Sequence, residues 1–232
     1  MPKQIKKRVS KKPVLKEEEF KGSLTQVIEY IKERKRVFIP ALAIILAIVI
    51  LSLSAIYYNS SLKEKAYKIE IEAYNYYYGT NLKENIPEDE RWKKALELYK
   101  KSVETKPSPT ALFYLGNCYY NLSDYTKAIE EYERFIKRFG GEKELLPIVY
   151  QKLSSAYLNK GDKDNALSTI NRLAELDNGM FKDTALMLEA RYYEKTGNND
   201  KAKERYKEIT EKFPTSPWVN EAKIKTGVTE KK

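Results

Sequence analysis

The 232-residue chain contains no histidine. Histidine is the side chain that titrates near neutrality and the commonest metal ligand, so both hydrolytic chemistry and metal chemistry lose their usual carrier. There is one cysteine, Cys118, which rules out an internal disulfide and says little about redox compartment. Glycine and proline number nine each, few for this length, and the C-terminal part is dense in Ala, Leu, Tyr, Lys and Glu, so helix is the default expectation. The absence that organises the rest is local: no Asp, Glu, Lys or Arg occurs between Arg36 and Lys63.

Within that gap lies VFIPALAIILAIVILSLSAIYY, residues 37–58. About 20 helical residues cross the ~30 Å hydrocarbon core of a bilayer, so this run predicts one membrane-spanning helix in contact with lipid. Residues 1–36 carry twelve Lys or Arg against five acidic residues, whereas the twenty residues after Tyr58 carry three Lys. The positive-inside rule then puts the N-terminus in the cytoplasm, and Tyr57 and Tyr58 suit the opposite interface. A cleaved signal peptide competes, because Ser52, Ser54 and Ala55 are small; a 36-residue leader and an over-long apolar run oppose it. No Cys directly follows the run, since Cys118 lies far beyond it, which argues against a lipoprotein anchor.

The net charge of +10 is concentrated in the tail, at +7, leaving +3 for the remainder. That distribution argues against a nucleic-acid partner. Topology and attraction to anionic lipid account for the basic tail. Residues 1–21 lack an apolar period and are expected to be disordered. From Ser23, Leu24, Val27, Ile28 and Ile31 recur at helical spacing and predict a short amphipathic helix running into the span at Pro40.

Beyond the span, Tyr67, Ile71, Tyr74 and Tyr78 form one helical stripe, read as core, on a helix of about 18 residues ended by Gly79. A loop over 80–89 leads to a second helix, about Glu90 to Thr105, with Trp92, Ala95, Leu96, Tyr99 and Val103, stopped by Pro107. Ser108-Pro109 opens the next helix as N-cap and first-turn proline. Leu115-Gly116, Tyr119, Tyr125, Ala128, Tyr132 and Phe135 follow. The same pattern returns 38 residues later as Leu153-Ser154, Tyr157, Gly161, Ala166 and Ile170, and after a further 36 as Ala190, Tyr193, Gly197, Ala202, Tyr206, Ile209 and Pro214.

This spacing resembles the tetratricopeptide repeat, with good agreement over 109–214 and a looser one over 61–107. Gly116, Ser154 and Ala190 share one place and Ala128, Ala166 and Ala202 another, where two helices approach closely only if side chains are small. Ser123-Asp124, Gly161-Asp162 and Gly197-Asn198 make the turns. Glu189 departs from the pattern, which wants Leu there. The expected fold is all-α: a basic tail (1–36), a transmembrane helix (37–58), a degenerate helical pair with an enlarged loop (59–107), three repeats (108–214), and a capping helix from Ser216-Pro217 with a frayed end (215–232).

The resemblance implies a solenoid whose concave wall, built from the first helix of each pair, binds protein or peptide segments. It places Phe113, Asn117, Tyr120, Gln151, Ser155, Met187 and Arg191 on that wall. Asn117 matches an Asn that some family members use in a carboxylate clamp, but Phe113 replaces the usual Lys, which argues against a clamp there. No catalytic, cofactor or metal residue is assigned, and an enzyme is not expected. Ser60-x-x-Lys63 and Lys225-Thr226-Gly227 imitate penicillin-binding signatures without the intervening strands. Cys118 sits mid-helix as a small buried thiol, and Gly140-Gly141 is a helix stop.

The layout of tail, span and helical-repeat domain also resembles the ancillary subunit of the bacterial Sec translocon. That likeness implies an inner-membrane adaptor or co-chaperone with a periplasmic domain, whose partners are the translocon, periplasmic chaperones or secreted clients. The alternative is an envelope scaffold for cell division or outer-membrane assembly. A homo-oligomer through Tyr67, Tyr74 and Tyr78 stays open, as does close helix packing along Ala41, Ala43, Ala47, Ser52 and Ser54.

Overall fold

The computed structural model describes residues 25–82 and 84–227, and the chain divides into two units, Met1–Ser60 and Ser61–Lys232. The expected tail disorder, the Ser23 cap and the frayed 228–232 lie outside the described residues. In the N-terminal unit, residues 25–33 are helical (α1), with Val27, Ile28 and Ile31 exposed. Helix α2, Lys35–Tyr78, contains Pro40 near its start. The apolar run 37–58 lies wholly inside α2 and is exposed throughout; it is long and apolar enough to cross a membrane, and a signal sequence meets the same criteria of length and composition.

The span over 37–58 and the helix of about 18 residues expected after it form one continuous helix. Residues 59–66, NSSLKEKA, include neither Gly nor Pro, so nothing ends the helix before Gly79, which takes the left-handed φ of +70° that glycine adopts without strain.

In the second unit, the 61–78 part of α2 pairs with α3 (Glu88–Thr105). Three hairpins follow: α4 (Pro109–Asn121) with α5 (Tyr125–Phe139), α6 (Leu146–Lys160) with α7 (Lys163–Glu175), and α8 (Lys182–Lys195) with α9 (Asn199–Lys212). A 3₁₀ turn, Leu176–Gly179, joins the second to the third, and α10 (Val219–Thr226) closes the series. Helix α3 begins two residues earlier than expected, so Glu88, Asp89 and Glu90 fill its first turn, where carboxylates oppose the positive end of the helix dipole.

The turns inside the hairpins repeat a single solution. Ser123, Gly161 and Gly197 hold left-handed φ values of 62°, 90° and 83°. The next residue in each case is a polar N-cap: Asp124, Asp162 and Asn198 accept from the backbone N–H of Lys127, Asn165 and Lys201, each at 3.2 Å. Ser108 caps α4, accepting from Ala111 N at 2.9 Å.

Packing follows the small-residue pattern. Ala128, Ala166, Ala190 and Ala202 are buried, and a Cβ on Gly116 would lie 2.5 Å from Tyr132 Cε1. Tyr99, Tyr132 and Tyr206 stand at the same place in three hairpins and are among the largest fully buried side chains. Tyr99 and Ala95 therefore give the first, degenerate pair the same interior as the later ones. The departure at Glu189 is resolved by Arg205, whose Nε lies 2.7 Å from Glu189 Oε2. A charged pair, further held by Glu208 at 2.9 Å from Arg205 Nη1, occupies the place of an apolar contact.

Candidate binding groove and inner wall

The stripe on α2 was expected to be core, and the structure corrects this. Tyr67 is 62% exposed, and Ile71, Tyr74 and Tyr78 are between 45% and 49% exposed. Helical periodicity shows that four apolar side chains share a face; it does not show that a neighbour covers that face. Tyr67, Ile71 and Tyr74 wall a cavity of about 780 Å³, together with Tyr99, Phe139, Pro107 and Pro109. Lys63, Lys106 and Arg138 stand around it with Glu70 and Glu142.

Glu70 fixes the groove's floor. Its side chain is buried, and Oε1 accepts from Ser102 Oγ at 3.1 Å and from Ser108 Oγ at 2.8 Å. Ser102 Oγ is also 3.2 Å from Ala66 O, so one small polar knot ties α2, α3 and the start of α4 together. Ser108 thus works twice, as N-cap acceptor and as donor to Glu70. Further along α2, Tyr74, Tyr77 and Tyr78 pack edge-on against Tyr114 of α4, and Tyr78 and Tyr114 share a hydroxyl contact of 3.0 Å. Tyr99 stacks on the same Tyr114 ring at 5.5 Å. Burial raises the Tyr77 pKa to about 12 and pushes Tyr114 above the ordinary tyrosine value. Both phenols therefore act as neutral hydrogen-bonding groups.

The seven residues expected on the wall divide. Phe113, Asn117 and Met187 are buried, so they present no side chain to a partner. Phe113 and Met187 are apolar and join the hairpin interiors, where burial favours them. Asn117 is consumed by its own hairpin: its Oδ1 accepts from Tyr132 Oη at 2.6 Å. This interaction closes the site of the family's clamp asparagine from within. Tyr120, Gln151 and Ser155 are partly exposed and Arg191 is exposed. Ser155 Oγ donates to Gln151 O, whereas Arg191 Nη2 contacts both carboxylate oxygens of Glu221 at 2.9 Å and lies over Trp218.

A polar ladder along the first helices was missed in the sequence. Asn121 Nδ2 donates to Tyr77 Oη at 3.1 Å and Asn159 Nδ2 to Tyr120 Oη at 2.8 Å, and Lys195 Nζ donates to Asn159 Oδ1. Each rung bridges neighbouring first helices, α2 to α4, α4 to α6, and α6 to α8. The signal was available, since Asn121, Asn159 and Lys195 recur at the repeat spacing. Cys118 is buried in α4, and desolvation pushes its thiol pKa well above the ordinary value, the state of an inert packing group.

Helical hairpins of matched length, close-approach alanines, repeated polar caps and first helices bonded in series define a helical-repeat interaction scaffold. Residues 110–141 and 184–216 match one tetratricopeptide repeat model, and 148–179 match a second. Tetratricopeptide repeats are thus detected in three segments of the chain, and such repeats imply a protein-binding adaptor role. It is 25% identical over 107 residues to the RNA polymerase-associated protein CTR9 of Saccharomyces cerevisiae, a match covering 46% of this chain. The chain spans 10% of that relative's length. A crystal structure of the MamA protein superposes with a TM-score of 0.50 at 20% identity, covering 73% of this chain and 81% of MamA. At that identity the likeness establishes the fold alone. YrrB, described as a tetratricopeptide protein with an unusual peptide-binding site, matches at 20% identity with a TM-score of 0.46, covering 58% and 67% of the two chains.

Proposed function

We propose that this chain is a membrane-anchored adaptor that holds apolar segments of partner proteins, acting in protein export or envelope quality control at a bacterial inner membrane. The observation that carries the binding role is the uncovered Tyr67, Ile71 and Tyr74 face on a 780 Å³ groove next to three stacked repeats. Exposed apolar area of this kind on a folded domain is a place where another apolar surface is buried. The run 37–58 supports anchoring through its length, its lack of charge and its exposure, and the +7 tail supports a cytoplasmic N-terminus and a periplasmic repeat domain. Tethering would raise the local concentration of the groove near the membrane without adding any contact.

The test is recovery of partners with the full chain extracted in mild detergent after crosslinking in cells. Translocon components, periplasmic chaperones or secreted clients are the expected catch. Division or outer-membrane assembly components would replace the export role by the envelope scaffold. No protein recovered above an anchor-only control would contradict the adaptor role itself.

A further inference from the structure

The groove beside α2 has a charged mouth as well as an apolar wall. Lys63, Lys106 and Arg138 border it, and Pro109 and Thr110, in the first turn of α4, line it too. That turn is the positive end of a helix dipole, where an anion is favoured. Lys63 and Arg138 are exposed, whereas Ala66 and Tyr99 are buried, so charge stands toward the mouth and apolar surface toward the floor. Neither Lys63 nor Arg138 makes an ion pair among the described residues; the Arg138 guanidinium lies over the Phe139 ring at 5.8 Å. Two carboxylates share the lining, but Glu70 already accepts from Ser102 and Ser108, which leaves Glu142 against the three cations. At the floor, the buried Tyr99 hydroxyl has no hydrogen-bond partner among the described residues.

A volume of about 780 Å³ lies within the roughly 300 to 1,000 Å³ of small-molecule sites, which are mostly apolar with a few convergent polar groups. An apolar floor under a cationic mouth matches an amphiphile with a hydrocarbon chain and an anionic head. The covalent chain indicates which amphiphile is at hand. Lys63 follows Tyr58, the last residue of the apolar run, by five residues, at most about 18 Å of extended chain. With that run in a bilayer, Lys63 is held within reach of the headgroups. An acyl chain gains little by leaving hydrocarbon for the groove; the gain is the Tyr67, Ile71 and Tyr74 surface that it removes from water.

We propose that the groove takes one anionic phospholipid from the membrane, its phosphate at Lys63, Arg138 and the start of α4 and an acyl chain against Tyr67, Ile71 and Tyr74. The proposal rests on the anchoring and the groove argued above. A lipid and a partner segment need the same walls, so the groove holds one or the other. The lipid is what covers the apolar face when no partner is bound.

The test uses the full chain reconstituted in vesicles that contain either phosphatidylglycerol or phosphatidylcholine with a diazirine near the end of one acyl chain. After irradiation, adducts are mapped by mass spectrometry. Both probes should label 37–58, which serves as the internal reference. Only the anionic probe should label 99–110 and 138–142 strongly; both segments are remote from the anchor in sequence. Relative to the reference, that labelling should fall about fivefold in the double variant Lys63→Gln, Arg138→Gln, as expected for loss of two exposed charge contacts. It should also fall in Ile71→Ser and stay unchanged in Lys203→Gln on α9. Helical circular dichroism equal to the parent's separates loss of binding from loss of fold. Labelling of 37–58 without 99–110 and 138–142, equal labelling of those segments by both probes, or labelling unaffected by the double variant would overturn the lipid site while leaving the anchor and the adaptor role standing. No adduct on 37–58 would overturn the anchor and the lipid site together, whereas the adaptor role is judged separately by recovery of partners from cells.

Discussion

Gly116→Ala probes the close approach on which the first repeat depends. In an open helix interior this change gains about 1 kcal/mol, because glycine is the poorer helix former. Here the new Cβ would lie 2.5 Å from Tyr132 Cε1 and 2.8 Å from Cδ1. An ordinary carbon contact is roughly 3.5 to 4.0 Å, so the ring must move by about 1 Å. It has no free space to move into: Tyr132 is fully buried and its hydroxyl is held by Asn117 at 2.6 Å. Overpacking costs about 1 to 3 kcal/mol and the stretched hydrogen bond about 1 more. The net loss is about 1 to 3 kcal/mol after the propensity gain, or a fall in Tm of roughly 2 to 12 °C for a domain of this size. Urea unfolding followed by circular dichroism measures it. Ser154→Ala, at the equivalent place in the next repeat, is the control; Ser154 Oγ bonds only within its own turn, to Gln151 O at 2.9 Å, so the change should stay within about 0.5 kcal/mol. A Gly116→Ala protein more stable than its parent would refute the packing argument.

Other outcomes follow from the caps, the ion pairs and the anchor. Asp124→Ala removes the cap of α5 and should lower stability by about 1 kcal/mol in the same assay. Hydrogen bonding and charge from Lys127 hold the Asp124 pKa below the ordinary aspartate value, so its contribution is present above that value and is lost as pH falls through the folded one. The parent should therefore lose its advantage over an Asp124→Asn protein below about pH 4, and an advantage unchanged down to pH 2 would contradict this. At the departure in the third repeat, Arg205→Met should destabilise more than Glu189→Leu, since the first strands a half-buried carboxylate that burial already penalises while the second leaves Arg205 paired with Glu208. The reverse order in chemical denaturation would show that Arg205 is the costly member. For orientation, protease added to spheroplasts should digest the segment 61–227; an intact segment beside a sealed cytoplasmic face would reverse the topology.

The repeat was legible in the sequence because its signals are local. A left-handed turn residue followed by an Asp or Asn cap, with a small residue eight positions before that cap and an alanine four positions after it, fixes a helical hairpin by sterics and capping alone. Ser154, Gly161, Asp162 and Ala166 show all of it in thirteen residues. The positions of Phe113, Asn117 and Met187 were not legible, since a family pattern gives a side chain's angular place on a helix and not its neighbour. Asn117 is inside because Tyr132 is long enough to reach it. The α2 stripe failed for the complementary reason. Its four residues have core chemistry and core spacing, and only the three-dimensional stack shows that they are left about half exposed or more, with Tyr114 packing against Tyr74 and Tyr78. The end of α2 at Gly79 was legible, but its continuity through Tyr58 was not, because a change from apolar to polar residues carries no signal about whether the backbone stays helical.

The central claim, that the open face of α2 is where this scaffold meets another protein, is tested most directly by site-specific photocrosslinking in cells with a photoreactive amino acid at Tyr67. Tyr67 is 62% exposed, so the replacement leaves the fold intact, and the same amino acid at Lys203 on α9 serves as the reference. The account predicts a discrete protein adduct from position 67 that is absent from position 203 and is lost when Ile71→Ser and Tyr74→Ser are added. No adduct from position 67, or equal adducts from both positions, would contradict it.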